Sequence, residues 1–159
     1  MVVARLGIDR ATGTPVVVLR EAAGARGLPI WIGPSEANAI AIAMQQIAVP
    51  RPLTHDLLRH VLQGLGGELL RVAITSSRDN TFYAELLVRH GTNELAGIDA
   101  RPSDAIALAV RCGAPILAAE SLLQRADAPD PTAPWPLQAD ALRKYLEGLD
   151  PQDFGRFLP

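Results

Sequence analysis

The chain has 159 residues, of which 48% are hydrophobic and 20% charged, and its formal net charge is −2. This composition is typical of one soluble globular domain and argues against a broad electropositive surface for nucleic acid. The single cysteine, Cys112, excludes a disulfide framework and a thiolate zinc site. Because there is no leader pattern and no apolar run of transmembrane length, the sequence predicts a cytoplasmic protein without a membrane span.

The first third of the chain is predicted to form three strands and a helix. Apolar residues alternate over 2–8, and a β-branched run covers 15–19. A third strand covers 28–32, with Pro29 at its start or on a sheet edge. The helix over 34–47 has no polar face, which indicates burial on more than one side.

A proline-rich connector at 49–52 leads to a second predicted helix, over about 54–64, with Thr54 as its N-cap. This helix is amphipathic. Its apolar face carries Leu57, Leu58, Val61, Leu62 and Leu65, and its polar face carries His55, Asp56, Arg59, His60 and Gln63. Glycines 64, 66 and 67 end it.

A hairpin is predicted next, with apolar alternation over 70–74 and 82–88 around turn residues 76–80. If Ser76 faces Asn80, Arg71 faces Glu85 across the pair. The remaining elements follow in order. They are a strand at 95–99, a buried helix at 102–111 ended by Gly113, a short strand at 114–118 and a short helix at 119–125.

Two helix starts resemble each other closely. Segments 33–44 and 101–110 both carry proline, serine, an acid in the first turn and a small apolar body. We take this as an internal duplication of a strand–helix unit. The predicted fold class is therefore α+β, with a mixed β-sheet packed against helices.

The domain is predicted to end near residue 126. Four prolines make 127–136 an extended linker, and 137–159 is predicted to be a helical tail. Apolar side chains of the tail give it a side that packs on the body or on a partner subunit.

Several blocks of the sequence resemble the bifunctional nuclease domain family of bacteria and plants. The blocks are Pro29–Gly33, Glu36–Ala37, Arg51–Leu57, Thr81–Ala84, Arg101–Ala109 and Gly113–Ile116. They lie within about residues 1–125 and occur in order. The resemblance implies an α+β domain with a mixed sheet, a homodimer, and nuclease activity on DNA and RNA. It does not identify the catalytic residues.

Phosphodiester hydrolysis needs an activated water, stabilisation of phosphate charge and usually a divalent metal. The helix starts offer candidates for each need, and no motif for an organic cofactor is present. We predict Glu36, Asp56 and Asp104 as ligands for Mg²⁺ or Mn²⁺, Arg51 and Arg101 as phosphate-binding residues, and His55, Asp56 and Asp104 as catalytic residues.

Each candidate also has a structural interpretation. Glu36 and Asp104 complement helix dipoles, and two ion pairs, Arg101–Asp104 and Arg51–Asp56, fix the helix starts. Two other functions therefore stay open. One is a non-catalytic dimeric binding or regulatory domain that recognises a protein or a small anionic ligand, and the other is a structural assembly module. The few aromatic residues, 4% of the chain, do not favour a base-stacking surface.

Overall fold

Two sheets and three helices make up the described part of the chain, and the predicted α+β class is confirmed. The structure is a computed structural model that describes residues 1–24, 26–79, 81–125 and 132–134. Its strands are β1 (Val2–Asp9), β2 (Pro15–Arg20), β3 (Arg26–Trp31), β4 (Glu68–Arg78), β5 (Thr81–His90), β6 (Glu94–Ala100), β7 (Ile116–Ala118), β8 (Gln124–Arg125) and β9 (Thr132–Pro134). Its helices are α1 (Pro34–Met44), α2 (Thr54–Gly64) and α3 (Pro102–Cys112).

The strands form one antiparallel and one mixed sheet. The first has the order β8-β3-β2-β1-β9, and the second has the order β6-β5-β4-β7 with β4 and β7 parallel. A three-stranded meander precedes α1, and another precedes α3. The internal duplication itself stays a prediction. The predicted helical tail, 137–159, lies outside the described residues.

Helices α1 and α3 pack against each other and join the two sheets. Helix α1 contacts β2, and α3 contacts β4 and β5. Every residue of 105–109 in α3 is buried, as its uninterrupted apolar run predicted. The largest fully buried side chains are Leu19, Leu28, Ile40, Ile74, Ile106 and Leu108, which belong to both sheets and both helices. Within the described ranges, no helix has the length and apolar character that crossing a membrane requires.

The predicted helix over 54–64 is confirmed as α2, but the predicted N-cap, Thr54, is wrong. Leu53 occupies the N-cap position, so Thr54 is the first helical residue. The Leu53 N–H donates to the Asp56 carboxylate at 3.0 Å, so the acid of the first turn takes over the capping role. Helix α1, which precedes α2, ends at Met44. Two residues later Gln46 has a left-handed φ of 52°.

The predicted hairpin register is also wrong. Arg71 pairs with Leu87, and Glu85 pairs with Ala73, because the strands run on to Arg78 and Thr81 and β4 contains two register shifts. A bulge adds one residue to one strand and moves every later cross-strand pair. The predicted helix at 119–125 is a single 3₁₀ turn, Glu120–Leu122, followed by β8.

The end of α3 yields a first testable prediction. Gly113 has a left-handed φ of 66°, and a Cβ placed there would meet no atom within 4 Å. We expect Gly113→Ala to lower the free energy of unfolding by about 1–2 kcal/mol, because an L side chain disfavours this backbone conformation. Urea denaturation measures this change. In Gly64→Ala, which has equal space and no positive φ, the same measurement should show a gain of about 0.4–1 kcal/mol.

Candidate active site

The three helix N-termini carry their acids at the same position, the third residue of the helix. These acids are Glu36 in α1, Asp56 in α2 and Asp104 in α3. Proline begins α1 and α3, where its missing N–H costs no hydrogen bond. A carboxylate at this position interacts favourably with the positive end of the helix dipole.

One guanidinium group joins the first turns of α1 and α3. Arg101 Nη1 donates to Glu36 Oε1 at 3.0 Å. Its Nε and Nη2 donate to the two carboxylate oxygens of Asp104 at 2.7 and 3.1 Å, respectively. The predicted Arg101–Asp104 ion pair is therefore confirmed. Gly33 allows the Glu36 carboxylate to lie against the backbone, because a Cβ at Gly33 would clash with it.

Helix α2 adds an imidazole to this cluster. His55 Nε2 lies 3.1 Å from Asp104 Oδ1, and the His55 side chain is only 14% exposed. In the neutral tautomer with the proton on Nε2, His55 donates to the carboxylate and Nδ1 is the basic nitrogen. A carboxylate that orients an imidazole in this way also stabilises its protonated form. We call Glu36, His55, Arg101 and Asp104 the helix-start cluster.

The Asp104 carboxylate is held in its ionised form. Burial raises its pKa, but hydrogen bonds from Arg101 and His55, together with their charges, lower it further than burial raises it. The net pKa of Asp104 is therefore below its ordinary value.

This shift predicts how stability depends on pH. A lowered folded-state pKa stabilises the protein above the unfolded pKa of about 3.9 and loses that effect as the pH falls toward the folded-state value. We expect the free energy of unfolding of Asp104→Asn to fall less than that of the wild type as the pH is lowered through 4. Urea denaturation over a pH series measures both curves. Parallel curves would contradict a lowered pKa of Asp104 in the folded protein.

A cleft of about 450 Å³ opens beside the cluster, between α2 and the second sheet. Arg101 and Asp104 line it, and so do the apolar side chains of Leu58, Leu62 and Ile98. Charged groups therefore lie beside an apolar wall, as is usual for small-molecule and substrate sites.

Asp56 and Arg51 do not join the helix-start cluster. Asp56 Oδ1 accepts a hydrogen bond from Arg111 Nε at 2.7 Å, so the predicted Arg51–Asp56 pair is wrong. Arg51 is exposed on the connector before α2. Burial raises the pKa of Asp56, but hydrogen bonds from Arg111 and the Leu53 N–H, with the charges of Arg111 and Arg59, bring it below its ordinary value. The structure thus brings together four of the six predicted site residues.

Sequence reasoning missed Arg111. Its side chain is 4% exposed, and besides Asp56 it contacts the carbonyl oxygens of Ala39 and Ala107 at 3.0 and 2.9 Å. The signal was a lone basic residue that directly follows the apolar run of α3. Since a buried charge must be paired, this residue required an acidic partner somewhere in the fold.

No preformed metal centre is present in the described residues: no three or more His, Cys, Asp and Glu side chains there are grouped to hold a metal ion. Glu36 and Asp104 are the two predicted ligands that share a neighbour, Arg101. The two carboxylates and the one guanidinium give the cluster a formal charge of −1 when His55 is neutral.

Comparison with known proteins identifies relatives along most of the chain. A family model described as Bifunctional nuclease domain matches residues 17–131. An uncharacterized protein of Mycobacterium tuberculosis is similar to this chain, with 42% identity over 155 residues that cover 92% of each protein.

Two plant proteins are similar over a shorter range. Bifunctional nuclease 1 of Arabidopsis thaliana is 30% identical over 110 residues, which cover 68% of this chain and 34% of the plant protein. Bifunctional nuclease 2 of Oryza sativa subsp. japonica is 31% identical over 118 residues, which cover 72% of this chain and 36% of the plant protein. This chain thus spans about a third of each plant relative. From the family-model match, the chain belongs to the bifunctional nuclease domain family.

Proposed function

We propose that this protein is a nuclease that hydrolyses phosphodiester bonds of DNA and RNA with low sequence specificity, and that the helix-start cluster is its active site. The observation that carries the proposal is the meeting of His55, Arg101 and Asp104 beside a cleft. Membership in a family whose plant members are named bifunctional nucleases supports nucleic acid as the substrate.

In this proposal the residues of the helix-start cluster divide the steps of hydrolysis. His55 removes a proton from the attacking water through Nδ1, and Asp104 stabilises the imidazolium that forms. Arg101, which is 66% exposed, turns from its carboxylate partners to the phosphoryl oxygens and stabilises their developing charge. Water oxygen bonds to phosphorus as the bond to the leaving oxygen breaks. The leaving oxygen then takes the proton from His55.

A divalent metal, Mg²⁺ or Mn²⁺, is part of the proposal. Carboxylate oxygens suit such hard cations, and Mg²⁺ is usually held by one or two carboxylates together with water and substrate phosphates. Glu36 and Asp104 would supply this pair. Their net negative charge favours a cation and, without one, disfavours the approach of a phosphate. When bound, the metal would supply phosphate charge neutralisation and lower the pKa of water.

The test is cleavage of labelled single-stranded RNA and duplex DNA by the purified full chain with Mg²⁺, Mn²⁺ or EDTA. We expect metal-dependent cleavage that falls at least about 100-fold in Asp104→Asn, because both Arg101 and His55 lose a charged partner. Asp79→Asn is the matched control, since Asp79 is exposed in the β4–β5 turn. Circular dichroism serves as the control that each variant is folded.

Each outcome has a distinct meaning. Equal cleavage with Mg²⁺ and EDTA would remove the metal from the proposal and leave His55 and Arg101 as its chemistry. Equal cleavage by the wild type and Asp104→Asn would place the activity elsewhere. No cleavage by any folded sample would favour the second candidate.

The second candidate is a non-catalytic dimeric binding or regulatory domain, and exposed apolar residues favour it. Leu57, Leu58 and Val61 of α2, Leu65 directly after it, and Leu95 and Ile98 of β6 are all at least 45% exposed. In the described residues, no strand pairs with the outer side of β6. An unpaired strand edge can pair with another chain.

A homodimer through β6 fits this surface. Antiparallel pairing of two copies about Gly97 sets Glu94 opposite Ala100 and Leu95 opposite Asp99, so no like charges face each other. Light scattering after size-exclusion chromatography measures the mass. Leu95→Glu would place a carboxylate opposite Asp99 of the other copy, so it should yield a monomer if this edge is the interface. A monomeric wild type would contradict the dimer.

A further inference from the structure

A second cavity borders the Asp56–Arg111 ion pair. Its volume is about 440 Å³, and it shares no lining residue with the cleft at Arg101. It is bounded by the last turns of α1 and α3, the connector after α1, and the first half of α2. Its wall includes Ile42, Ile47, Val49, Asp56, Arg59 and Arg111. The proposed active site leaves this cavity without a role.

The Arg111 guanidinium in this wall is only partly satisfied. Its Nε donates to Asp56, and its Nη1 donates to two backbone carbonyl oxygens. Its Nη2 is buried and has no hydrogen-bond partner among the described residues. Since the side chain is only 4% exposed, water does not freely replace the missing acceptor.

The neighbouring Arg59 shows the same deficiency. Its Nη1 donates to the Arg111 carbonyl oxygen at 3.2 Å, and its Nη2 lies 3.2 Å from His60 Nε2. Its Nε is buried without a partner in the described part of the chain. Two adjacent guanidinium groups therefore each retain an unused buried N–H donor. Buried unsatisfied donors are rare in native proteins, so the two arginines retain the capacity to bind an acceptor.

The charges around the cavity favour an anion. Two arginines face one carboxylate, that of Asp56, which leaves a formal excess of +1 with His60 neutral. Guanidinium groups bind the paired oxygens of phosphates and carboxylates especially well. The apolar side chains of Ile47 and Val49 line the same cavity and suit the uncharged body of a small molecule.

We propose that this cavity is a binding site for a small oxyanion-bearing molecule, with Arg59 and Arg111 as its anion-binding residues. The ligand is a small molecule with a phosphate or carboxylate group, because 440 Å³ lies in the usual range of small-ligand pockets. Asp56 keeps Arg111 in position and is not itself a ligand contact. The proposal does not depend on nuclease activity, since it uses none of the helix-start cluster.

Calorimetric titration of the full chain with inorganic phosphate tests the site, in a buffer whose ionic strength is held constant with sodium chloride. We expect saturable binding with one site per chain. Arg59→Gln should weaken it at least about tenfold, because a charge-assisted hydrogen bond is lost. Arg59→Lys should retain part of the affinity through charge alone. Arg71→Gln, at an exposed position on β4, is the control with the same charge change and should bind as the wild type.

The probes then distinguish the ligand chemistry. If adenosine monophosphate binds more tightly than phosphate, the apolar residues of the cavity contact a nucleotide base. If a short-chain carboxylate binds more tightly than phosphate, they contact the aliphatic chain of an acid. Three results would overturn the proposal. The first is a titration that does not saturate in the constant sodium chloride background. The second is an equal loss of phosphate affinity in Arg59→Gln and Arg71→Gln. The third is unchanged phosphate affinity in an Arg59→Gln variant that circular dichroism shows to be folded.

Discussion

Cleavage by His55→Ala is expected to fall by about 10²–10⁴-fold, the usual contribution of a general acid–base group. His55 supplies the imidazole of the helix-start cluster, and imidazole is the side chain that most often acts as a general base in enzymes. The variant should stay folded, because the loss of one hydrogen bond to Asp104 costs about 1–3 kcal/mol. Initial rates on labelled RNA and DNA measure the effect under the conditions that give maximal wild-type cleavage.

The pH profile distinguishes a catalytic role of His55 from a purely structural one. A general base makes the rate rise with pH, and this rising limb should disappear in the residual activity of His55→Ala. His90→Ala is the matched control, because His90 is exposed at the end of β5, away from the cleft. Wild-type rates and an unchanged pH limb in folded His55→Ala would exclude the imidazole from the mechanism.

Arg111→Met is expected to have the largest effect on stability, a loss of about 3–5 kcal/mol in the free energy of unfolding. The substitution leaves the Asp56 carboxylate, 18% exposed, without its cation and removes the donor to two backbone carbonyl oxygens. Methionine fills part of the arginine volume, so the loss reports the ion pair more than a cavity. Urea denaturation measures the change, which should appear in the midpoint at constant m-value.

The paired acid provides the matching test. Arg111→Met combined with Asp56→Asn should be less destabilised than the sum of the single variants, because no unpaired charge then remains. Arg71→Met is the control for loss of an exposed arginine and should change stability by less than about 0.5 kcal/mol. Strict additivity of Arg111→Met and Asp56→Asn would contradict the coupling.

Local signals were sufficient for most elements. The run from Pro102 to Gly113 predicted both ends of α3 and its burial, because proline, an apolar body and a left-handed glycine each act on their own segment. The same logic found the acids of the helix-start cluster, since a first-turn carboxylate follows from the chain next to it. The bond from Arg101 to Asp104 spans three residues and was predictable for that reason.

Long-range partners were not predictable in this way. Asp56 has Arg51 five residues away in sequence, but it pairs with Arg111, 55 residues away, which the crossing of α2 over α3 brings close. The hairpin register depends on bulges in β4, and no single residue of the sequence indicates where these bulges lie. The amphipathic pattern of α2 does not determine which face packs inward, since most of its apolar side is exposed and His55 and Asp56 face inward.

Helix α2 thus has no fully buried residue and is anchored to α3 through His55, Asp56 and Arg59. Local detachment of such a helix exposes little apolar surface, so it should carry a small heat-capacity change and a small denaturant dependence. Its amides are therefore expected to exchange with solvent through sub-global opening well before those of α3. Added salt should speed that exchange, because ionic screening weakens the contacts that keep the helix in place.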